Sequence, residues 1–343
     1  MASAPRRKNG TRPRPTMSDV AAAAGVSLKT VSRVVNGEAS VRPETATLVH
    51  EAIERLGFSR NAMARALRHG RRSGLFGLVI EDVSNPFYSA IARGVEEVAR
   101  GRGMLAIAAS SDEDPERERE LVHLLCERRV DGLLIVPAGD DHRYVLPELR
   151  SGTCAVFIDR PPGNIDADAV LLDNVGGTRS AVEHLLARGH RRIGFVGDSP
   201  DIFTAAERLR GYRETLARAG LAADESLIRL GAHDTDSAEA AVSELVALPE
   251  PPTAVFAGNN RITVGVLRVI HRNGFRLALV GFDDLELGEI LMLPVSVVAH
   301  DPTELGRQAA ELVLRRLAGD DRPPQRVVLP TVLIVRGSGE VAP

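Results

Sequence analysis

The stretch TMSDVAAAAGVSLKTVSRVVNG, residues 16–37, decides how the amino-terminal part of this chain folds. Thr16, followed three residues later by Asp19, forms a capping-box-like helix start, with Asp in place of the usual Glu or Gln. Val20, Ala21 and Ala24 then make one small apolar face, and Gly25 suits the left-handed residue that closes a helix. Ser27 can cap a second helix, in which Val31, Val34 and Val35 recur at helical spacing before Gly37. Two short helices joined by a tight turn predict a helix-turn-helix. The second helix keeps its valines inward and turns Leu28, Lys29, Ser32 and Arg33 outward. Arg and Lys can reach guanine edges or phosphates from there, and hydroxyls can bind phosphate oxygens. Spacing alone is equally satisfied by two helices that merely pack a core. Downstream, Pro43 opens a third helix with Leu48, Val49, Ala52, Ile53 and Leu56 as its apolar stripe and Gly57 as its stop.

Charge separates this region from the rest of the chain. The 343 residues carry a formal net charge of −3. Residues 1–72 hold 14 Lys and Arg against 5 acids, a balance of +9, which leaves −12 on the remainder. A basic head on an acidic body directs the head toward a polyanion. Residues 1–15, rich in Pro and Arg, read as a disordered basic arm adding non-specific attraction for phosphates. With 44% hydrophobic residues the chain can bury sizeable cores, and its length suggests two to three domains. Cys126 and Cys154 are too few for a disulfide framework or a Cys-built zinc site. No apolar run reaches the ~18 residues of a membrane span. No apolar segment follows the first charges, as an export signal would require. The expectation is a cytoplasmic protein with no membrane partner.

Residues 16–68, ending in NAMARALR, resemble the head of the lactose-repressor (LacI/GalR) family, with TVSRVVNG as the most specific segment. The resemblance implies that Leu28, Lys29 and Arg33 read bases in the major groove. It implies that Thr16, Ser27, Thr30, Ser32 and Asn36 hold phosphates or pack the helix on the backbone. Residues 61–68 resemble the family's hinge helix, which places Asn61 and Leu67 among the DNA contacts, with Leu67 wedged into the minor groove. An inserted apolar side chain unstacks a base step and bends the duplex. An isolated eight-residue helix is unstable in water, so this segment should order only on DNA and against a partner copy. One departure is Arg42 before Pro43, where the family often places a small capping residue.

The body alternates strands and helices. After the polar linker His69–Gly74 come nine apolar runs, at 75–80, 104–109, 132–138, 154–159, 169–173, 193–198, 254–258, 277–283 and 295–299. Continuously apolar strands joined by helices predict parallel sheets covered on both faces, here in two lobes. In such folds ligands bind beyond the carboxyl ends of the strands, and a cleft between lobes is the default site. The strand ends carry Glu81-Asp82, Asn85, Phe87 and Tyr88, then Asp159-Arg160, Asp173-Asn174, Asp198-Ser199, Asn259-Asn260-Arg261 and Asp283-Asp284. Carboxylates, amides, guanidiniums and rings suit a polyhydroxylated or heterocyclic ligand. Each residue taken singly is equally at home as a helix cap or turn.

Segments such as SNPFYSAIARGVEE, GTRSAVEHLLARGHRRIGFVGD, TAAERLRGYRETL and LALVGFDD resemble the same family's regulatory domain, itself similar to periplasmic sugar-binding proteins. The implied fold is an N-terminal all-α helix-turn-helix head plus an α/β two-lobed periplasmic-binding-protein-like regulatory domain. The implied layout is an arm (1–15), a head (16–60), a hinge helix and linker (61–74), and a two-lobed effector-binding and dimerisation domain (75–343). The resemblance implies effector contacts from Phe87, Tyr88, Asp159, Arg160, Asp173, Arg208, Asn259, Arg261 and Asp283. Two departures matter. Asn259-Asn260 stands where many members carry Asn-Asp, and the segment before Leu277 is shortened, which should alter the second lobe's edge. The expected protein is a transcriptional regulator, more often a repressor in this family. Its partners would be pseudo-palindromic operator DNA and a small, sugar-like effector; it would form a homodimer, with a tetramer left open. No cofactor or metal is expected. The rival classes are a sugar-binding receptor and an enzyme. No GxGxxG or GxxxxGK[ST] loop occurs, His50-Glu51 lacks the second His of a zinc motif, and the GSG at 337–339 lacks a nucleophile elbow.

Overall fold

The computed structural model describes residues 15–36, 38, 40–58 and 72–343. The chain divides into two compact units, Met1–Ser73 and Gly74–Pro343. The arm to residue 14 and the hinge segment with Asn61 and Leu67 lie outside the described residues.

The first unit contains α1 (Met17–Ala24), α2 (Leu28–Val35) and α3 (Pro43–Leu56). The capping box at Thr16 and Asp19 forms in both directions, so two otherwise orphaned backbone N–H groups find acceptors. Gly25 closes α1 at φ 67°, and Ser27 accepts from the Thr30 N–H to start α2. Val20, Ala21, Val31, Val34, Val49 and Ala52 form the core of this small unit. The Arg55 guanidinium donates to the Ala23 carbonyl at 3.1 Å and ties α3 to α1. Arg42 makes no side-chain cap for α3, since a guanidinium has no acceptor to offer an orphan N–H. Leu48 departs from the expected stripe. It is 51% exposed, because one residue's step of about 100° carries it off the face that buries Val49.

The second unit contains two six-stranded sheets. The first lobe's sheet holds β1 (Leu75–Ile80), β2 (Leu105–Ser110), β3 (Gly132–Ile135), β4 (Cys154–Ile158), β5 (Asp168–Leu172) and, from much later in the chain, β11 (Arg326–Leu329). Its order is β11-β5-β4-β3-β1-β2, parallel throughout. The second sheet holds β6 (Ile193–Val196), β7 (Ile228–Arg229), β8 (Ala254–Ala257), β9 (Ala278–Phe282), β10 (Ser296–Ala299) and β12 (Val332–Ile334). Its order is β12-β10-β9-β8-β6-β7, with only β12 antiparallel. The chain therefore passes between lobes three times, after β5, after β10 and between β11 and β12.

Both faces of the inner strands are covered, whereas the edge strand β2 leaves Leu105 and Ile107 exposed. In β1, Phe76, Leu78 and Ile80 enter one core while Val79 enters the other; β4 splits the same way, Val156 and Ile158 against Ala155 and Phe157. This two-sided burial is why the strands read as unbroken apolar runs. Helices α4 (Pro86–Gly101), α5 (Pro115–Glu127) and α6 (Leu146–Arg150) belong to the first lobe, and α11 (Pro302–Leu317) packs against α4 there. A Cβ on Gly94 would lie 2.0 Å from the Thr303 carbonyl oxygen, and one on Gly306 would lie 2.1 Å from that of Ile91. A glycine from each helix thus permits their close approach. Helices α7 (Asn174–Ala187), α8 (Phe203–Arg218), α9 (Thr235–Val246) and α10 (Asn260–Asn273) belong to the second lobe.

Three strands escaped the sequence reading. β7 has two residues, and β11 and β12 are edge strands of half-exposed residues set apart by a proline. The segment before Leu277 closes α10 through Gly274 (φ 65°) and passes through exposed residues into β9, which lies between β10 and β8.

Candidate functional site

On the first unit, α2 presents the surface expected to meet DNA. Leu28, Lys29 and Arg33 are exposed, and Thr30 and Ser32 are half-buried. Arg33 lies 3.6 Å from Glu38, an exposed pair that a phosphate or guanine can displace at little cost. Thr16 and Ser27 are engaged in capping. Thr16 donates to the Asp19 carboxylate at 2.7 Å, a bond that lowers the Asp19 pKa, and Ser27 shares a 2.9 Å bond with the Thr30 hydroxyl. Asn36 is the exposed C-cap of α2.

In the second unit a narrow cavity of about 40 Å³ opens between the lobes at the carboxyl ends of both sheets. Phe87, Tyr88, Asp159, Arg160, Arg208, Asn259, Arg261 and Asp283 all line it. Asp173 does not. It is exposed, and its carboxylate accepts the Gly176 N–H at 2.8 Å to cap α7.

Each guanidinium is held by the protein. Arg160 forks onto Glu113 at 2.6 and 2.7 Å, and also donates to the Pro137 carbonyl. Arg208 donates to Asn174 Oδ1 at 2.8 Å and to the Gly258 carbonyl at 2.6 Å, with its Cζ 3.7 Å from the centre of the Phe282 ring. It is therefore a fixed, buried donor and not a surface ion-pair residue. Arg261, on the second lobe, reaches Glu81 at 3.3 Å and also Asp82 on the first. Beside it, Asn260 donates to Asn85 Oδ1 at 2.8 Å, across the same gap. That oxygen also accepts the Phe87 N–H at the start of α4, which settles the orientation of both amides.

The carboxylates have unequal surroundings. Burial raises the pKa of Asp159, and Arg160 and Arg208 only partly oppose it. Its Oδ1 is buried with no hydrogen-bond partner. Burial acts on Asp283 too, but Arg208 and a 2.8 Å bond to His300 outweigh it, so its pKa is lowered. His300, buried edge-on against Phe87, thus positions Asp283. Burial, then repulsion from Glu113, pushes Glu81 up to about 7 despite the nearby guanidiniums. Burial also raises Tyr88 well above an ordinary phenol.

Asp159 (φ 67°), Asp283 (φ 69°) and Glu113 (φ 58°) all adopt left-handed backbone. Such strain in non-glycine residues costs of order 1 kcal/mol each and gathers where geometry serves a site. Sequence reasoning missed Glu113 entirely, because it comes from a strained turn after β2. Asn85, Asn174 and Asn260 stood among the strand-end residues but were not selected. Their signal was adjacency to chosen neighbours, and only the tertiary contacts distinguish them. The walls offer an unpaired acceptor, fixed donors and aromatic faces, chemistry suited to a neutral, hydroxylated molecule.

A model of the lacI family of bacterial regulatory proteins matches residues 16–61, and a periplasmic-binding-protein-like domain matches residues 182–339. The chain is 38% identical over 342 residues to the HTH-type transcriptional regulator CelR of Thermobifida fusca, covering 96% of this chain and 99% of that one. It is 31% identical to the ribose operon repressor of Escherichia coli, over 94% and 99% of the two chains. Among solved structures, a CelR–cellobiose complex aligns over 95% of this chain and 100% of that one, at 34% identity and a TM-score of 0.69. The lac repressor dimer bound to operator and an anti-inducer aligns over 95% and 99%, at 26% identity and a TM-score of 0.82.

Proposed function

This chain belongs to the lacI family of bacterial regulatory proteins, a transcriptional regulator with a helix-turn-helix head, and we propose that it is a sugar-responsive repressor with no catalytic step of its own. Leu28, Lys29 and Arg33 read the operator, with Thr16, Ser27, Thr30, Ser32 and Asn36 placing α2 on the backbone and Asn61 and Leu67 completing the contact from the hinge. The effector sits between the lobes.

The observation that carries this reading is the cross-lobe pairing of Asn260 with Asn85 and of Arg261 with Glu81, in the wall of a cavity whose guanidiniums are already engaged. A neutral ligand bound there must touch or displace groups that set the lobe angle. A change in that angle then acts through residues 61–74 on the head. The effector can alter operator affinity only through its preference for one angle, and the operator must alter effector affinity by the same factor. The sugar class is supported by the cellobiose complex of a relative and by the ribose repressor. Dimerisation is supported by exposed apolar surface. Leu105 and Ile107 stand on β2, an edge strand, and Ile290 and Met292 are exposed after β9. A two-fold dimer would read a two-fold operator.

The test takes an operator enriched from random duplexes and titrates it with and without sugars found by thermal shift, since a true effector stabilises by mass action. Arg208→Ala should keep operator binding and lose the effector's influence. A normal effector response in that variant refutes the cleft assignment. No sequence preference in the wild type refutes the head.

A further inference from the structure

We propose that closing the lobes takes up a proton at Glu81, so that the proton acts on the lobe angle as a second effector. For its consequence at the operator this rests on the reading of the cleft as the control site. The proton itself is tested without effector or DNA.

Glu81 follows β1 on the first lobe, and its side chain is 11% exposed. Two guanidiniums approach it, and each has a nearer acid. Arg160 forks onto both oxygens of Glu113 at 2.6 and 2.7 Å and leaves Glu81 at 3.9 Å, beyond hydrogen-bond reach. Arg261, on α10 of the second lobe, donates to Asp82 and meets Glu81 at a longer 3.3 Å. Tyr88, buried on α4, donates its hydroxyl to Glu81 and can equally accept from a protonated carboxyl. The groups facing Glu81 are therefore Tyr88, Glu113 and Arg160 of its own lobe and Arg261 of the other. Glu81, Asp82 and Glu113 share two guanidiniums, which leaves one negative charge in excess. Asp159, which also interacts with Arg160, adds to that excess. Arg208 does not relieve it, since its donors go to Asn174 and Gly258.

Closing the lobes buries this excess, and an unpaired buried charge is costly unless a proton removes it. Of the three acids, Glu81 is held least firmly in its ionised form. Asp82 accepts from the Ser84 hydroxyl and N–H at 2.7 and 2.8 Å, which lowers its pKa, and Glu113 has the Arg160 fork. Burial, then repulsion from Glu113, raises Glu81 from 4.5 to about 7. When the lobes part, Arg261 and the surface that covers Glu81 leave with the second lobe, and water returns. The closed form then binds the proton more tightly than the open one, so closure strengthens as pH falls through 7 toward 4.5. With Glu81 near 7 when closed and ordinary when open, closure weakens by about tenfold between pH 6 and pH 8.5. Glu113 stays beside Glu81 in both forms, which makes tenfold the upper bound. An effector that favours closure gains affinity at lower pH by the same factor.

The experiment measures energy transfer across the cleft of the full chain, with no ligand present. Two pH-insensitive dyes are attached at Glu120→Cys on α5 and Ala240→Cys on α9, exposed positions on the two lobes, in a Cys126→Ser and Cys154→Ser background. The ratio of closed to open lobes should fall by at least about threefold from pH 6 to pH 8.5. Glu81→Gln, neutral at every pH, should flatten the profile. Glu113→Gln, which frees Arg160 for Glu81, should move the midpoint to lower pH. A change below about twofold in the labelled parent overturns the proposal. So does an unaltered profile in the variants, and either variant decides if the other does not fold. Operator affinity at fixed ionic strength should change between the same two pH values in the parent and much less in Glu81→Gln. If the transfer responds and the operator does not, the proton site holds and the reading of the cleft as the control site fails.

Discussion

Asn260→Asp tests the cross-lobe latch most directly. Asn260 is 7% exposed and donates to Asn85 Oδ1 at 2.8 Å, an oxygen already committed to the Phe87 N–H. Replacing the amide NH2 by a carboxylate oxygen sets acceptor against acceptor at that distance, beside Glu81 and Asp82. Losing a buried hydrogen bond and leaving its partner unsatisfied costs about 1–3 kcal/mol. At about 1.4 kcal/mol per decade, that shifts closure of the lobes by roughly 5- to 150-fold. An effector that touches both lobes binds the closed form, and its apparent affinity falls with the closed fraction. Calorimetry at pH 7.5 with the identified sugar should therefore show binding weakened by at least about fivefold. Asn260→Ala, which removes the donor without adding a charge, should fall between the variant and the wild type. Melting temperature and operator affinity without effector serve as controls for folding. If Asn260→Asp binds the sugar within twofold of the wild type in a folded protein, the Asn260–Asn85 bond does not hold the lobes and the latch argument fails.

Three further outcomes are expected. Arg33→Ala should weaken specific operator binding by about 1–3 kcal/mol and relax base preference at one position per half-site, read by anisotropy against single-base operator variants; a uniform loss across all sequences would make Arg33 a phosphate contact only. Glu81 has a folded-state pKa near 7, above its ordinary 4.5, so the stability it contributes is present below pH 4.5 and lost as pH rises through 7. The melting temperature of Glu81→Gln should accordingly gain on the wild type between pH 5 and pH 8, and a constant difference would contradict the assigned shift. Gly306→Val should lower the melting temperature by at least about 2 °C, since even its Cβ would lie 2.1 Å from a carbonyl oxygen and overpacking costs about 1–3 kcal/mol; an unchanged melt would show that α4 and α11 separate freely.

The head was legible because its information is local. A cap, a glycine and three valines at helical spacing are read within one or two turns, and Thr16, Gly25 and Ser27 do in the structure what their chemistry suggests. Leu48 was misplaced because the apolar stripe of α3 in the sequence is wider than the face that α1 and α2 cover. In the body, the nine long apolar runs became strands; in the inner ones burial on both faces leaves no room for a polar residue, whereas β2 is an edge strand whose Leu105 and Ile107 are apolar but exposed. The two-residue β7 and the half-exposed edges β11 and β12 carry no such mark.

The cleft divides along the same line. Residue type and a place at a strand end were enough to nominate Arg208, Asn259, Arg261 and Asp283. Asp173 met the same criteria and caps a helix instead, because a carboxylate after a strand serves whichever partner lies nearest. By itself the sequence determined the helix-turn-helix, the alternation of strands and helices, and the opposed charges of head and body. These depend on neighbours a few residues apart or on sums over many residues. The tertiary structure alone decided that Glu113 forks onto Arg160, that Asn260 meets Asn85, and that the His142 ring accepts the Gly163 N–H. Those partners are 47, 175 and 21 residues apart; the first and last meet only when the first lobe's sheet assembles, and the second only once the chain has crossed between its lobes.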